Sequence, residues 1–227
     1  PSWCPGCGNH TTLHSFKKAA AELNVKSHEL AIFHGIGCSG NGASLLKSYG
    51  FHALHGRAPS NAAGCKLANH KLKVVVFAGD GDLLSEGLTH LVHTARYNHD
   101  ITVILHNNGR YGLTAGQTSP TTLKGTKTAT HPQGSPVIPL DPISLLLAAG
   151  AKHLIRTFAG DVVHQIESIR KGLTHKGFTL IEVIQPCVIF NKEQNISWFR
   201  ERIKKLETIP ESLPQALEKA QNQETIY

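Results

Sequence analysis

The sequence contains no methionine, only two tryptophans and four tyrosines, and aromatic residues make up 6% of its 227 positions. Charged residues are also sparse, at 17%, and no apolar stretch approaches the roughly 20 residues that a membrane-crossing helix needs. Few aromatics and scattered basic residues argue against a nucleic-acid-binding face, which interleaves the two, so no nucleic-acid partner is expected. Without an apolar span, or a charged segment leading into one at the N-terminus, the expectation is a cytoplasmic chain with no membrane partner. The chain begins at Pro1, so an initiator residue is expected upstream. Hydrophobic residues at 40% suffice for a sizeable core, read as one domain over residues 1–227 with a helical tail over residues 191–227. A net charge of +7 favours acidic or phosphate-bearing ligands. The five cysteines are an odd number in a chain without a secretion signal, which points to metal ligation or buried thiols rather than disulfides.

Strand and helix periods alternate along the chain. Strands are predicted at residues 30–33, 74–78, 101–105, 153–158 and 178–184, and helices at residues 10–23, 62–69, 83–96, 142–149 and 161–172. Residues 198–206 and 214–222 read as charged, mostly exposed helices. This alternation predicts an α/β fold with a doubly wound, mostly parallel sheet. Residues 114–139 are polar and too long for a simple connector, which marks a functional or disordered loop.

One apolar run ends unusually. "VVVFAGDGDLLSEG" (residues 74–87) reads as a buried parallel strand followed by two aspartates set between glycines, at the strand end where ligands of open α/β sheets bind. Gly79 and Gly81 let the backbone approach an anion, and the following helix points its N-terminal N–H groups at the same spot. A carboxylate at a phosphate site makes sense if a hard cation lies between them, which casts Asp80 as a Mg²⁺ ligand. Asn108, 28 residues on and at the end of the next strand, supplies a second oxygen, and the backbone carbonyl of Arg110 a third. Taken singly, Asp80-Gly81 is equally a turn and Asn107-Asn108 a cap; their pairing one βαβ unit apart favours the metal.

Cys4 and Cys7 are spaced to reach one metal, Cys38 lies in a glycine-rich turn after a strand, and Cys187 follows another strand behind Pro186. Such a thiolate set suits zinc or an iron–sulfur cluster. Cys65, within a helix of small residues, reads as a buried thiol.

Together with "WCPGCGNH" (residues 3–10), "GIGCSG" (35–40), "HGRAPSNAAGCKLAN" (55–69), "NNGRYGLTAGQTSPTT" (107–122) and "IQPC" (184–187), the Gly79-Asp80-Gly81 motif resembles the β subunit of 2-oxoacid:ferredoxin oxidoreductases. The resemblance implies a thiamin diphosphate-binding fold holding Mg²⁺ at Asp80, Asn108 and Arg110, and a 4Fe-4S cluster at Cys4, Cys7, Cys38 and Cys187. It places Gly37, Ser39, His55, Gly56, Arg57, Gly79, Gly81, Asp82, Tyr111, Gly112, Leu113 and Thr114 at the cofactor, with His55 the candidate catalytic group. The implied reaction is oxidative decarboxylation of a 2-oxoacid with coenzyme A, electrons passing through the cluster to ferredoxin. The activating Glu is expected on a partner α subunit, Glu86 being read as a solvated or capping residue. The pattern favours 2-oxoglutarate, with pyruvate or a branched-chain 2-oxoacid as alternatives, and a non-redox thiamin decarboxylase or synthase as a further one. Ala115 stands where the family commonly has Lys, which puts substrate choice in question.

Overall fold

The computed structural model describes residues 3–222. Helix α1 (Gly8–Glu22) starts directly after Cys7 and buries Phe16, Ala19 and Ala20. Strands β1 (Leu30–His34), β2 (Tyr49–His52), β3 (Lys73–Gly79) and β4 (Ile101–Asn107) follow, with α2 (Ala58–Ala68) before β3 and α3 (Leu88–Arg96) before β4. A two-stranded antiparallel ribbon, β5 (Arg110–Tyr111) and β6 (Gln117–Thr118), comes next. Helix α4 (Pro142–Ala148), β7 (Leu154–Phe158), α5 (Val162–Thr174) and β8 (Thr179–Ile184) complete the body, and α6 (Ile196–Arg202) and α7 (Leu213–Gln221) form the tail.

The main sheet has six strands in the order β2-β1-β3-β4-β8-β7, and every neighbouring pair is parallel. Helices cover both faces, so its central strands are apolar on both sides instead of alternating. In β3, Val74, Val76 and Ala78 join Leu91 and Leu146 on one face, while Val75 and Phe77 meet Phe16 and Ile169 of α1 and α5 on the other. Each fully buried large side chain contributes about 1.5–3 kcal/mol. The chain leaves β1 for β2 on one side and returns to β3 on the other. The carboxyl ends of β1 and β3 therefore flank a topological switch point, where open sheets of this kind bind ligands.

Some elements differ from the sequence reading. The helix expected over residues 83–96 is two pieces, a π-helical turn at Asp82–Glu86 and then α3, joined at Gly87. Gly87 sits so close to its surroundings that a Cβ there would lie 2.9 Å from the Leu83 carbonyl oxygen. Strand β2, with all four residues exposed at the sheet edge, carried no period to read. The helix expected over residues 198–206 begins earlier, where Asn195 accepts from the N–H groups of Ser197 and Trp198, and stops at Arg202 before extended Ile203. Helix α2 starts four residues before the expected position, with Pro59 in its first turn.

Candidate active site

A cavity of about 130 Å³ opens at the switch point, walled by the loops after β1, β3 and β4. Gly37, Ser39, His55, Gly79, Asp80, Gly81, Asp82, Asn108, Tyr111, Gly112, Leu113 and Thr114 line it. Gly56 and Arg57 do not. Gly56 acts through its backbone, its N–H donating to Asp82 Oδ1 at 2.8 Å, while the Arg57 guanidinium donates to the Glu86 carbonyl at 3.2 Å and lies 2.8 Å from His90 Nε2. Two close approaches demand glycine here: a Cβ on Gly81 would lie 2.5 Å from the Tyr111 ring, and one on Gly56 2.4 Å from the backbone at Glu86 and Gly87.

Asp80 is buried at the floor, and hydroxyls from the long polar loop reach it. Ser119 Oγ donates to its Oδ2 at 2.5 Å and Thr121 Oγ1 at 2.7 Å, with Thr121 also 2.8 Å from Asn107 Oδ1. Burial pushes the Asp80 carboxyl above its ordinary range, against those hydroxyls and the Asn108 N–H. A fully buried carboxylate that retains an acceptor edge beside glycine backbone suits a hard cation. Asn108 Oδ1 accepts from the Arg110 N–H at 2.9 Å, leaving it a second lone pair. The Arg110 guanidinium donates to the Phe190 carbonyl at 3.2 Å and to Asn191 Oδ1 at 3.3 Å, tying the segment after Cys187 to the loop after β4.

Above the cavity, His55 Nδ1 lies 2.9 Å from Asp82 Oδ1 and 3.1 Å from Glu86 Oε2. Burial raises the Asp82 carboxyl above its ordinary range, opposed by the Gly56 and Ile36 N–H groups. Glu86 is half-exposed and holds His55 from the solvent side.

Of the four cysteines expected to act together, Cys38 and Cys187 both lie beside Gly112, and Cys4 and Cys7 are near enough to act on Cys38 electrostatically. A Cβ on Gly112 would lie 3.4 Å from Cys38 Sγ and 3.7 Å from Cys187 Sγ. Burial, with Cys7, Cys187 and Cys4 adding to the effect, pushes the Cys38 thiol up to about 11. Cys7 is likewise raised by burial, partly offset by the Asn9 N–H that bonds its sulfur, with Cys187 and Cys4 adding to the rise. Trp3 Nε1 donates to the Cys38 carbonyl at 2.6 Å and pins the two cysteine segments together. Among the described residues, no three or more His, Cys, Asp or Glu lie close enough to hold a single metal ion. Cys65 lies apart on α2, half-buried against the core.

Asn9, Ile36, His106 and Gln185 also line the cavity and were not singled out from the sequence. Asn9 and Gln185 stand beside Cys7 and Cys187 within quoted motifs, which was the available signal; His106 reads as one more strand residue. A larger cavity of about 480 Å³ lies behind Asn107 and Asn108, walled partly by Arg156, Asp141 and Glu182, which pair with one another and not with the site's ligands.

An Asp at the end of β3 and an Asn at the end of β4, facing a glycine-lined cavity at the switch point, define a thiamin diphosphate-binding domain. Residues 28–183 match the family described as thiamine pyrophosphate enzyme, C-terminal TPP binding domain. The chain is 43% identical over 211 residues to the 2-oxoacid:ferredoxin oxidoreductase subunit beta of Sulfolobus, covering 92% of this chain and 69% of that relative. It is 43% identical over 189 residues to the 2-oxoglutarate oxidoreductase subunit KorB of Mycobacterium tuberculosis, 83% of this chain and 51% of that one. The solved structure of a 2-oxoglutarate:ferredoxin oxidoreductase from Magnetococcus marinus superposes with a TM-score of 0.94 at 37% identity, over 97% of this chain and 77% of that chain. The protein belongs to the β-subunit family of the 2-oxoacid:ferredoxin oxidoreductases.

Proposed function

We propose that this β subunit binds thiamin diphosphate through Mg²⁺ at Asp80, Asn108 and the Arg110 carbonyl, carries a 4Fe-4S cluster on Cys4, Cys7, Cys38 and Cys187, and oxidatively decarboxylates 2-oxoglutarate. The observation that carries the reading is the buried Asp80 carboxylate at the switch point, within one cavity wall of Cys38. Zinc bound by thiolates at about 2.3 Å needs sulfurs about 3.8 Å apart in a tetrahedron. Thiols that influence one another's charge without forming a mononuclear site fit a wider cage of several irons. When bound, thiamin diphosphate supplies the electron sink for decarboxylation and the cluster a one-electron exit. The chain's own residues do the rest: Asp80 and Asn108 fix the phosphate end, Gly79 and Gly81 admit it, and His55, turned by Asp82 and Glu86, faces the reacting end as candidate proton donor or anion contact. Arg57 has no place in this set.

The relatives called 2-oxoglutarate synthase subunit KorB and the solved structure with 2-oxoglutarate, coenzyme A and succinyl-CoA support 2-oxoglutarate and coenzyme A as substrates. Ferredoxin is then the acceptor, the activating Glu comes from an α subunit, and the complex is cytoplasmic with residues 1–227 as one domain of it. Anaerobic co-purification with an α subunit tests this. A reduced-cluster electron paramagnetic resonance signal that requires both 2-oxoglutarate and coenzyme A is expected; iron never reduced by any 2-oxoacid, or zinc in place of iron, overturns it.

A further inference from the structure

Asn9 and Gln185 are each 1% exposed, and both line the cavity. Gln185 Nε2 donates to Asn9 Oδ1 at 2.7 Å, so the two amides are locked to each other. That bond uses one end of each group and leaves Asn9 Nδ2 and Gln185 Oε1, both buried, without a partner. Buried polar atoms are costly to leave unmatched, and here a free N–H and a free carbonyl belong to two residues that line one cavity.

Their backbones explain why these two residues. Asn9 donates its N–H to the sulfur of Cys7, and Gln185 donates its N–H to the Asn107 carbonyl at 2.9 Å, next to Asn108. Gly8 makes room for the pair, since a Cβ there would fall 2.5 Å from Gln185 Oε1. The pair therefore touches the Cys7 segment, the Cys187 segment and the metal loop at once.

We infer that Asn9 and Gln185 are binding residues for the occupant of this cavity, holding it through one donated and one accepted hydrogen bond and so registering the two cysteine segments on it. The inference rests on thiamin diphosphate being that occupant. The free N–H suits a phosphate or carbonyl oxygen, and the free carbonyl an N–H or O–H.

The test is Gln185→Leu in the complex with its α subunit, prepared anaerobically, with the dissociation constant for thiamin diphosphate measured at saturating Mg²⁺. Iron content and the spectrum of the chemically reduced cluster, with and without thiamin diphosphate, are recorded on the same samples. Affinity about tenfold weaker at wild-type iron content is expected, together with loss of any spectral change that thiamin diphosphate causes in the wild type. Affinity within about twofold of wild type overturns the inference. So does a variant that loses iron while its iron-loaded fraction binds normally, because that is the mark of a purely structural pair. If Gln185→Leu does not fold, Asn9→Asp decides: it keeps the shape, replaces the free donor by a carboxylate oxygen, and must weaken binding at least as much. Wild-type complex that binds no thiamin diphosphate overturns the cavity's assignment and this inference with it.

Discussion

At the scale of single residues, variants of Asp80 and of the cysteines would separate the two proposed cofactors. Asp80→Ala removes the carboxylate that Ser119 and Thr121 orient at the end of β3, and leaves the thiols untouched. Thiamin diphosphate affinity in the presence of Mg²⁺ should fall by more than about 100-fold, beyond the loss typical of outer-shell changes, with iron content unchanged; calorimetric titration and iron analysis on the same preparation check both. Cys187→Ser should lose the cluster whereas Cys65→Ser retains it, because Cys65 packs against the core away from the other four. A visible spectrum of each variant distinguishes them. Ala115 poses a different matter. Its φ of +79° is strained for a residue with a Cβ, and the next residue, Gly116, has a φ of +92°. Ala115→Gly relieves about 1–2 kcal/mol of left-handed strain against about 0.4–1 kcal/mol of added unfolded-chain entropy. A small gain in thermal stability is the expected result of a melting experiment.

At the scale of elements, β7, β8 and α4 are joined by charge. Arg156 on β7 donates from Nε to Glu182 Oε2 on β8 at 2.7 Å and pairs with Asp141, whose other oxygen caps α4 by accepting the Ser144 N–H at 2.7 Å. Glu182 Oε1 accepts in turn from Asn107 Nδ2 at 2.7 Å, so the triad ends one residue from the proposed metal ligand. Arg156→Met leaves Glu182 buried and uncompensated, and should destabilise the fold by about 3–5 kcal/mol in a denaturant titration. None of this was legible in the sequence, because Asp141, Arg156 and Glu182 come from three separate segments. What was legible followed from local pattern: the central strands as apolar runs, α1 and α5 as periodic faces, and Asp80 with Asn108 from glycine spacing at strand ends. The role of the polar loop was visible only as length and composition. That Ser119 and Thr121 fold back onto Asp80 depends on the β5–β6 ribbon, two residues per strand and below any periodicity. The π-helical turn escaped for a similar reason, since Gly87 breaks the helix through a close backbone contact that no neighbour in sequence announces.

At the scale of the whole molecule, the proposed function makes this site one part of a larger one. Its lining contains two carboxylates, Asp80 and Asp82, and both are engaged, the first by Ser119 and Thr121 and the second by the Gly56 N–H and His55. The proposed function, with its activating Glu on the α subunit, asks neither of them to activate a bound thiamin diphosphate. Around the same region Leu54, Phe51, Tyr49 and Leu113 are exposed at 78, 51, 62 and 56%, apolar surface of the kind a partner subunit covers. Acidification gives an independent handle on how far the body itself depends on its buried groups. Burial holds His34 down to about 4, with His52 adding to the effect, against an ordinary value near 6.5. The unfolded chain therefore binds a proton that the folded one refuses, so the stability His34 contributes is complete above about pH 6.5 and declines as pH falls toward about 4, by about 1.4 kcal/mol per unit. Replacing His34 with Phe, which keeps the flat stack on Phe77, should flatten that window. Denaturant midpoints of the two proteins across about pH 4–7 should diverge from the acid side alone. If this subunit is measured by itself, those curves should be obtainable without any turnover of 2-oxoacid. Turnover should appear only on adding the α subunit, with the stability curve shifted upward by the association at every pH.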